Sequence, residues 1–232
     1  MTNSALELEQ LRYRPLVFVD DLNLIELDAA DHAHLERSLR VKAGSEITVA
    51  DGTGQWRTAS FGSTVEPTGE IAGSPRPEPL LTVAFTPVKG DRSDLVVQKL
   101  TELGVDVIVP LVTERSVVRW DDGRAAKNLN RHRKIAREAA MQSRNLWLPT
   151  VERVTELQAF LTSRPATALA DPSGTNAVHS ATTIAIGPEG GFAPAELGGQ
   201  PTVLLPGRIL RTETAAIAAG VLLAAARGAE TV

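Results

Sequence analysis

The chain has 232 residues, 43% of them hydrophobic and 22% charged, with a formal net charge of −4. That is enough for one large domain or two small ones, and it speaks against indiscriminate nucleic-acid binding. Cysteine is absent, which excludes disulfides and thiolate catalysis and fits a reducing cytoplasm.

No apolar run reaches the roughly 20 residues of a membrane span, and residues 1–14 show no secretory pattern. His32, His34, His132 and His179 lack metal-ligand spacing, so no metal is expected. Residues 1–74 read as short strands and turns. The apolar run 16–19 predicts a strand, and residues 31–39 a short helix with Asp31 as its cap. Residues 46–50 lead through Asp51-Gly52-Thr53-Gly54, a hairpin signal, into 55–61. Together these suggest a small β-barrel-like module. Residues 66–79 carry Pro67, Gly69, Gly73, Pro75, Pro77 and Pro79, a density that disfavours helix and central strand alike. The pattern places one domain over 1–74, a linker over 75–79 and a second domain over 80–232.

From Leu80 the period changes. Residues 80–85 predict a buried strand, 94–103 a helix with Val96, Leu100 and Leu103 on one face and Gly104 as its stop, and 105–112 the next strand. This is a βαβ unit and implies parallel pairing. A basic helix is expected over 125–144, with short strands at 166–170, 183–186 and 203–205. A final helix over 213–227 is expected to pack by Ile217, Val221 and Leu222. The fold class is therefore α/β with a mostly parallel sheet. Between Arg115 and Arg144 stand nine basic and three acidic residues, a stripe suited to a phosphate-rich partner or simply to a solvated helix face.

Two segments carry the chemistry. Ile186-Gly187-Pro188-Glu189-Gly190-Gly191-Phe192 and Leu205-Pro206-Gly207-Arg208-Ile209-Leu210-Arg211-Thr212-Glu213-Thr214-Ala215 each close a strand-like run and break into a glycine-containing loop. Two such loops at the carboxyl ends of strands build a small-molecule pocket. Neither is a P-loop or a GxGxxG fingerprint. Arg211 stands near a helix N-terminus, where the macrodipole disfavours a cation. That placement favours a role in anion or substrate binding over a pairing with Glu213. Thr212 is positioned to cap the helix. Lys99 and Glu102, three residues apart, read first as a surface ion pair.

These residues, with His34-Leu35, Leu39-Arg40, Asp51-Gly52, Glu102-Leu103-Gly104-Val105, Pro110, Glu114-Arg115, Gln142-Ser143-Arg144 and Pro149, resemble the RsmE-type methyltransferases of the SPOUT superfamily over nearly the whole chain. The resemblance implies S-adenosylmethionine as cofactor and N3 of a uridine in 16S ribosomal RNA as the methyl acceptor. It also implies a PUA-like N-terminal β-barrel, a trefoil-knotted C-terminal domain, and a cytoplasmic homodimer whose partner is the small ribosomal subunit. Ile186, Gly187, Pro188, Glu189, Gly190, Gly191, Leu205, Pro206, Gly207, Ile209, Leu210 and Ala215 would then line the cofactor. Arg211 would stabilise charge on the uracil, and Glu189 or Glu213 would accept its proton. Arg37, Arg40, Arg92, Lys99, Arg133, Arg137, Gln142 and Arg144 would contact RNA. The chain departs from the family pattern at Pro206, where glycine is usual, and at Met141, where an acid is usual. Rival readings are a non-catalytic RNA-binding or ribosome-assembly protein, an enzyme of another nucleotide, and the same chemistry on another RNA.

Overall fold

The computed structural model describes residues 11 and 13–230. The chain forms two compact units, one of residues up to 76 together with 137–148, the other of 77–136 with 149–232.

In the first unit, strands β1 (Leu16–Phe18), β2 (Glu46–Ala50), β3 (Gln55–Ser60), β4 (Glu66–Pro67) and β5 (Ala72–Gly73) make a mixed sheet in the order β1-β2-β3-β4, with β5 also on β3. The expected hairpin joins β2 to β3. The Asp51 carboxylate accepts from the backbone N–H of Thr53 at 2.7 Å and of Gln55 at 3.1 Å, which fixes the turn. Three expectations change here. Helix α1 (Ala29–Ala33) is capped by Asp28, which accepts from Asp31 N–H at 2.7 Å, and it continues into a π-helical turn at His34–Ser38. Asp31 lies inside the helix, buried, because it holds the Arg137 guanidinium at 2.6 and 3.0 Å. Four residues of the proline-rich stretch also pair, in the two-residue edge strands β4 and β5, and an edge strand tolerates Pro67. Finally, residues 137–148 join this unit, with Ala140, Met141 and Leu146 buried in a core that contains Trp56 and Phe61. No glycine or proline interrupts 124–143 to mark that division. Helix α3 (Asp122–Ser143) runs through it.

The second unit is built on seven strands, β6 (Thr82–Phe85), β7 (Val107–Val112), β8 (Thr150–Val151), β9 (Thr155–Glu156), β10 (Ala168–Ala170), β11 (Thr183–Ile186) and β12 (Thr202–Val203). Their order is β12-β10-β11-β6-β7-β8, with β9 also on β7, and every pairing is parallel. β6 is buried along its whole length, as a sheet covered on both faces requires. Helix α2 (Arg92–Glu102) buries Val96, Val97 and Leu100. Shorter helices α4 (Leu157–Ser163) and α5 (Pro194–Leu197) follow β9 and β11.

Of the three residues expected to pack the last helix, α6 (Thr212–Glu230), Leu222 lies half-buried against the core and Ile217 is half-buried. The helix's buried residues include Ala215, Ala216, Ala219 and Leu223, whereas Val221 is 45% exposed. The segment is apolar nearly all round, so bulk alone did not mark the inner face. Small residues face inward because α2 lies close: a Cβ on Gly220 would stand 2.7 Å from Leu100 Cδ2.

A tighter approach occurs beyond β10. A Cβ on Gly174 would meet the Val203 backbone at 2.4 Å and Leu204 N at 2.8 Å. Main chain cannot step aside as a side-chain tip can. Gly174→Ala is therefore expected to cost roughly 1–3 kcal/mol. A urea titration should show it as a lower midpoint with an unchanged slope.

Candidate active site

At the carboxyl edge of the sheet, the loops that follow β10, β11 and β12 converge, the place where open α/β sheets bind ligands. They enclose a cleft of about 570 Å³ lined by 170–172, 186–192, 204, 205 and 207–210, with Arg115, Thr212 and Ala215. Of the twelve residues expected around a cofactor, eleven line it. Pro206 does not, and is exposed at the turn. Asp171 is a lining residue that the sequence did not mark, while Arg115 and Phe192, which carry part of the resemblance, line it without having been expected at the cofactor.

The loop after β11 is held from several sides. Gly191 adopts a φ of 68°, a left-handed conformation open to glycine, and its N–H donates to Pro188 O at 2.8 Å. Arg115 Nη1 donates to Gly190 O at 2.9 Å and to Phe192 O at 3.2 Å. Glu196 accepts from the backbone N–H of Ala193 and of Glu114, each at 2.8 Å. Thr212 does not use its hydroxyl as a helix cap. Its Oγ1 donates to Gly187 O at 3.1 Å, which ties the start of α6 to this loop. The two loops thus form one braced structure, and backbone groups of a fixed loop are good partners for a ligand's polar edge.

Beside the cleft, Arg92 Nη1 lies 3.0 Å from Glu213 Oε1 and 3.7 Å from Glu189 Oε1. Glu213 is buried, and its second oxygen has no hydrogen-bond partner. Burial works against its charge, but its own backbone N–H and Arg92 outweigh that cost. The carboxyl stays below its ordinary pKa and is ionised at neutral pH. The same hydrogen bond to Glu213 holds Arg92 firmly protonated. Glu189 has a side chain 67% exposed. It lines the cleft and both hollows next to it. Arg211 is exposed and lines one of these, an open hollow of about 520 Å³, with Arg92, Glu189, Ile209 and Leu210. It makes no side-chain hydrogen bond or ion pair among the described residues. Glu213 pairs with Arg92 and not with Arg211.

The residues expected to touch RNA scatter. Arg92 belongs to the site itself. Lys99 is paired with Glu102 at 2.8 Å, Arg133 Nε reaches Val151 O at 3.4 Å, and Arg137 is committed to Asp31 and to Phe18 O. Arg144 has a φ of 61° and is half-buried, and burial lowers its pKa. Arg37, Arg40 and Gln142 are exposed, as are Arg124, Lys127, Arg131, Arg133 and Lys134 along α3.

Comparison with known proteins accords with this geometry. A family model described as an RNA methyltransferase domain matches residues 76–224. The ribosomal RNA small subunit methyltransferase E of Synechocystis is 31% identical, over 82% of this chain and 69% of its own. That of Mycobacterium bovis is 29% identical over 83% of each. Among solved structures, a Legionella pneumophila protein described as a putative methyltransferase in complex with S-adenosylmethionine superimposes with a TM-score of 0.81. It shows 27% identity and covers 92% of this chain and 98% of its own. The ribosomal RNA small subunit methyltransferase E of Neisseria gonorrhoeae, bound to the same compound, gives 0.77 and 29%, covering 94% of this chain and 97% of its own. The chain therefore belongs to the RNA methyltransferase family typified by ribosomal RNA small subunit methyltransferase E.

Proposed function

We propose that this protein is an S-adenosylmethionine-dependent methyltransferase that modifies N3 of a uridine in 16S ribosomal RNA of the small subunit. The observation that carries this is the cleft at the sheet's carboxyl edge. Eleven residues anticipated for the cofactor line it, and relatives of the same architecture are described with that cofactor bound. The cleft fits the group. It offers apolar wall from Ile186, Leu205 and Leu210, glycine backbone for an adenine edge, and the Asp171 carboxylate for a hydroxyl or ammonium.

S-adenosylmethionine supplies a methyl group already activated on sulfur, so the protein's task is alignment and charge. Glu189 accepts the N3 proton as that nitrogen gains the methyl. What supports Glu189 over Glu213 is exposure, since it faces the cleft and both hollows while the free oxygen of Glu213 is buried. Glu213 acts as a positioning residue that fixes Arg92. Arg211 stabilises the negative charge that develops on the uracil carbonyl oxygens.

The finer points of the resemblance belong to the same proposal. Residues 1–74, the greater part of the first unit, form a PUA-like RNA-holding domain. The second is a SPOUT domain over 80–232 knotted about its last helix, and the working species is a cytoplasmic homodimer. The exposed basic face of α3, with Arg37 and Arg40, meets phosphate, so RNA affinity falls with salt.

The test is a calorimetric titration with S-adenosylmethionine, repeated with ATP. Saturable binding of the first alone is the expected result. Failure to bind it, even with small-subunit RNA present, would return the protein to the class of non-catalytic RNA binders.

A further inference from the structure

Next to the cofactor cleft lies a second, smaller hollow of about 150 Å³. It shares Pro188, Glu189 and Thr212 with the cleft, so whatever occupies it abuts the cofactor. Its other walls come from the segment after β6 and from the β7–α3 connection, chiefly Thr86, Lys89, Arg92 and Val117. None of these except Arg92 stood out in the sequence, and Arg92 did so only as an RNA contact.

The lining has a definite chemical character. Thr86 is 1% exposed, and its Oγ1 has no hydrogen-bond partner. A buried hydroxyl left unpaired is costly, and a ligand that bonds it recovers that cost. Lys89 is exposed and makes no ion pair among the described residues. Arg92 is held in place by Glu213 and stays charged. Pro188 and Val117 supply apolar surface, and Glu189 supplies a carboxylate at the wall shared with the cleft. The hollow is therefore a slot of single-ring size. It has apolar flanks, two cations and a hydroxyl for ring oxygens, and an anion facing the cofactor.

That pattern matches one kind of ring. An imide nitrogen carries a proton and is flanked by two carbonyl oxygens. The proton would meet the Glu189 carboxylate, one carbonyl oxygen Thr86 and Lys89, and the other Arg92 and the adjoining open hollow that Arg211 lines. Cytosine fits poorly, because its N3 carries no proton and one flank is an amine donor that would meet a cation. A purine has two fused rings. Enzymes that modify a base within structured RNA must draw it out of its stack into such a slot.

We infer that this hollow receives the extruded target pyrimidine, that Thr86 is a substrate-binding residue for a carbonyl of the ring, and that Val117 forms its outer flank. The inference rests on the function proposed above and assigns the base a place within it.

The experiment compares wild type with Thr86→Val and Val117→Trp. Thr86→Val keeps volume and removes the hydroxyl. Val117 is 75% exposed, so tryptophan there fills the slot without touching the core. Three quantities are measured. They are S-adenosylmethionine affinity, methyl transfer to small-subunit ribosomal RNA, and the fluorescence of a 2-aminopurine placed beside the target uridine, which rises when the neighbouring base leaves the stack. Both variants should bind S-adenosylmethionine as wild type does. Val117→Trp should lose the fluorescence rise and most turnover while it retains RNA affinity. Thr86→Val should lose about tenfold in kcat/KM, the scale of one buried hydrogen bond. Wild-type turnover and fluorescence in both variants would overturn the slot alone. A wild-type protein that binds the cofactor but methylates no uridine would overturn the proposed function and the slot with it.

Discussion

Arg211→Ala is expected to lower kcat by roughly 10²–10³-fold while leaving S-adenosylmethionine affinity near its wild-type value. That range is typical of losing one preorganised donor to a developing oxyanion. Arg211 precedes α6, with its carbonyl accepting from Ala215 N–H at 2.8 Å. Its cation therefore sits against the positive end of a helix, a position that repels it. Among the described residues Arg211 makes no ion pair, and Glu213, two residues on, attracts it only through space, so it gains most when negative charge appears in front of it. Single-turnover methyl transfer with saturating cofactor isolates the step. An unchanged rate would remove Arg211 from the chemistry.

The second large effect concerns the two carboxylates. Glu189→Gln keeps shape and hydrogen-bonding capacity but removes the proton acceptor, and kcat should fall about 10²–10⁴-fold. Glu213→Gln should do less. It breaks the ion pair that fixes Arg92, so substrate positioning suffers and KM rises more than kcat falls. If Glu213→Gln were the inactive variant and Glu189→Gln the mild one, the roles assigned here would be reversed. Arg92 reaches both carboxylates. Each variant therefore also changes the partner left to the other, and the double variant should not show the product of the two losses.

Much of the architecture is legible along the chain because it is encoded locally. The Asp51 turn, the stop at Gly104 and the parallel βαβ unit from Thr82 to Val112 each depend on neighbours within about 30 residues. The two loops that line the cleft are legible for the same reason. Glycine and proline announce where backbone must bend, and the resemblance supplied their meaning. What escaped is long-range. Asp31 looks like a cap until Arg137, more than 100 residues away, is seen to hold it. Arg92 reads as an RNA contact until Glu213 is found beside it. Arg115 gives no hint that its guanidinium braces Gly190 and Phe192. On α6 Leu222 packs as expected, but Val221 is exposed and the small residues Ala215, Ala216 and Ala219 carry much of the buried face. In close helix contacts the smallest residues occupy the interface.

The order of the parallel sheet bears on how this protein is made. β6 lies against β11, so that Thr82 pairs with Thr183, and β10 separates β11 from β12. Pairings this remote in sequence form slowly, because a long loop must close before any contact rewards it. A ribosome extending the chain would release β6 and β7 well before their third central neighbour exists. The cleft at the sheet's carboxyl edge could not close until residues beyond 210 had emerged. The first unit waits as well, since Ala140, Met141 and Leu146 complete its core. Neither unit can finish folding as a simple amino-terminal-first domain during synthesis. The half-made chain would expose the apolar strands 82–85 and 107–112 for much of its translation, a period in which unpaired strand edges are open to aggregation.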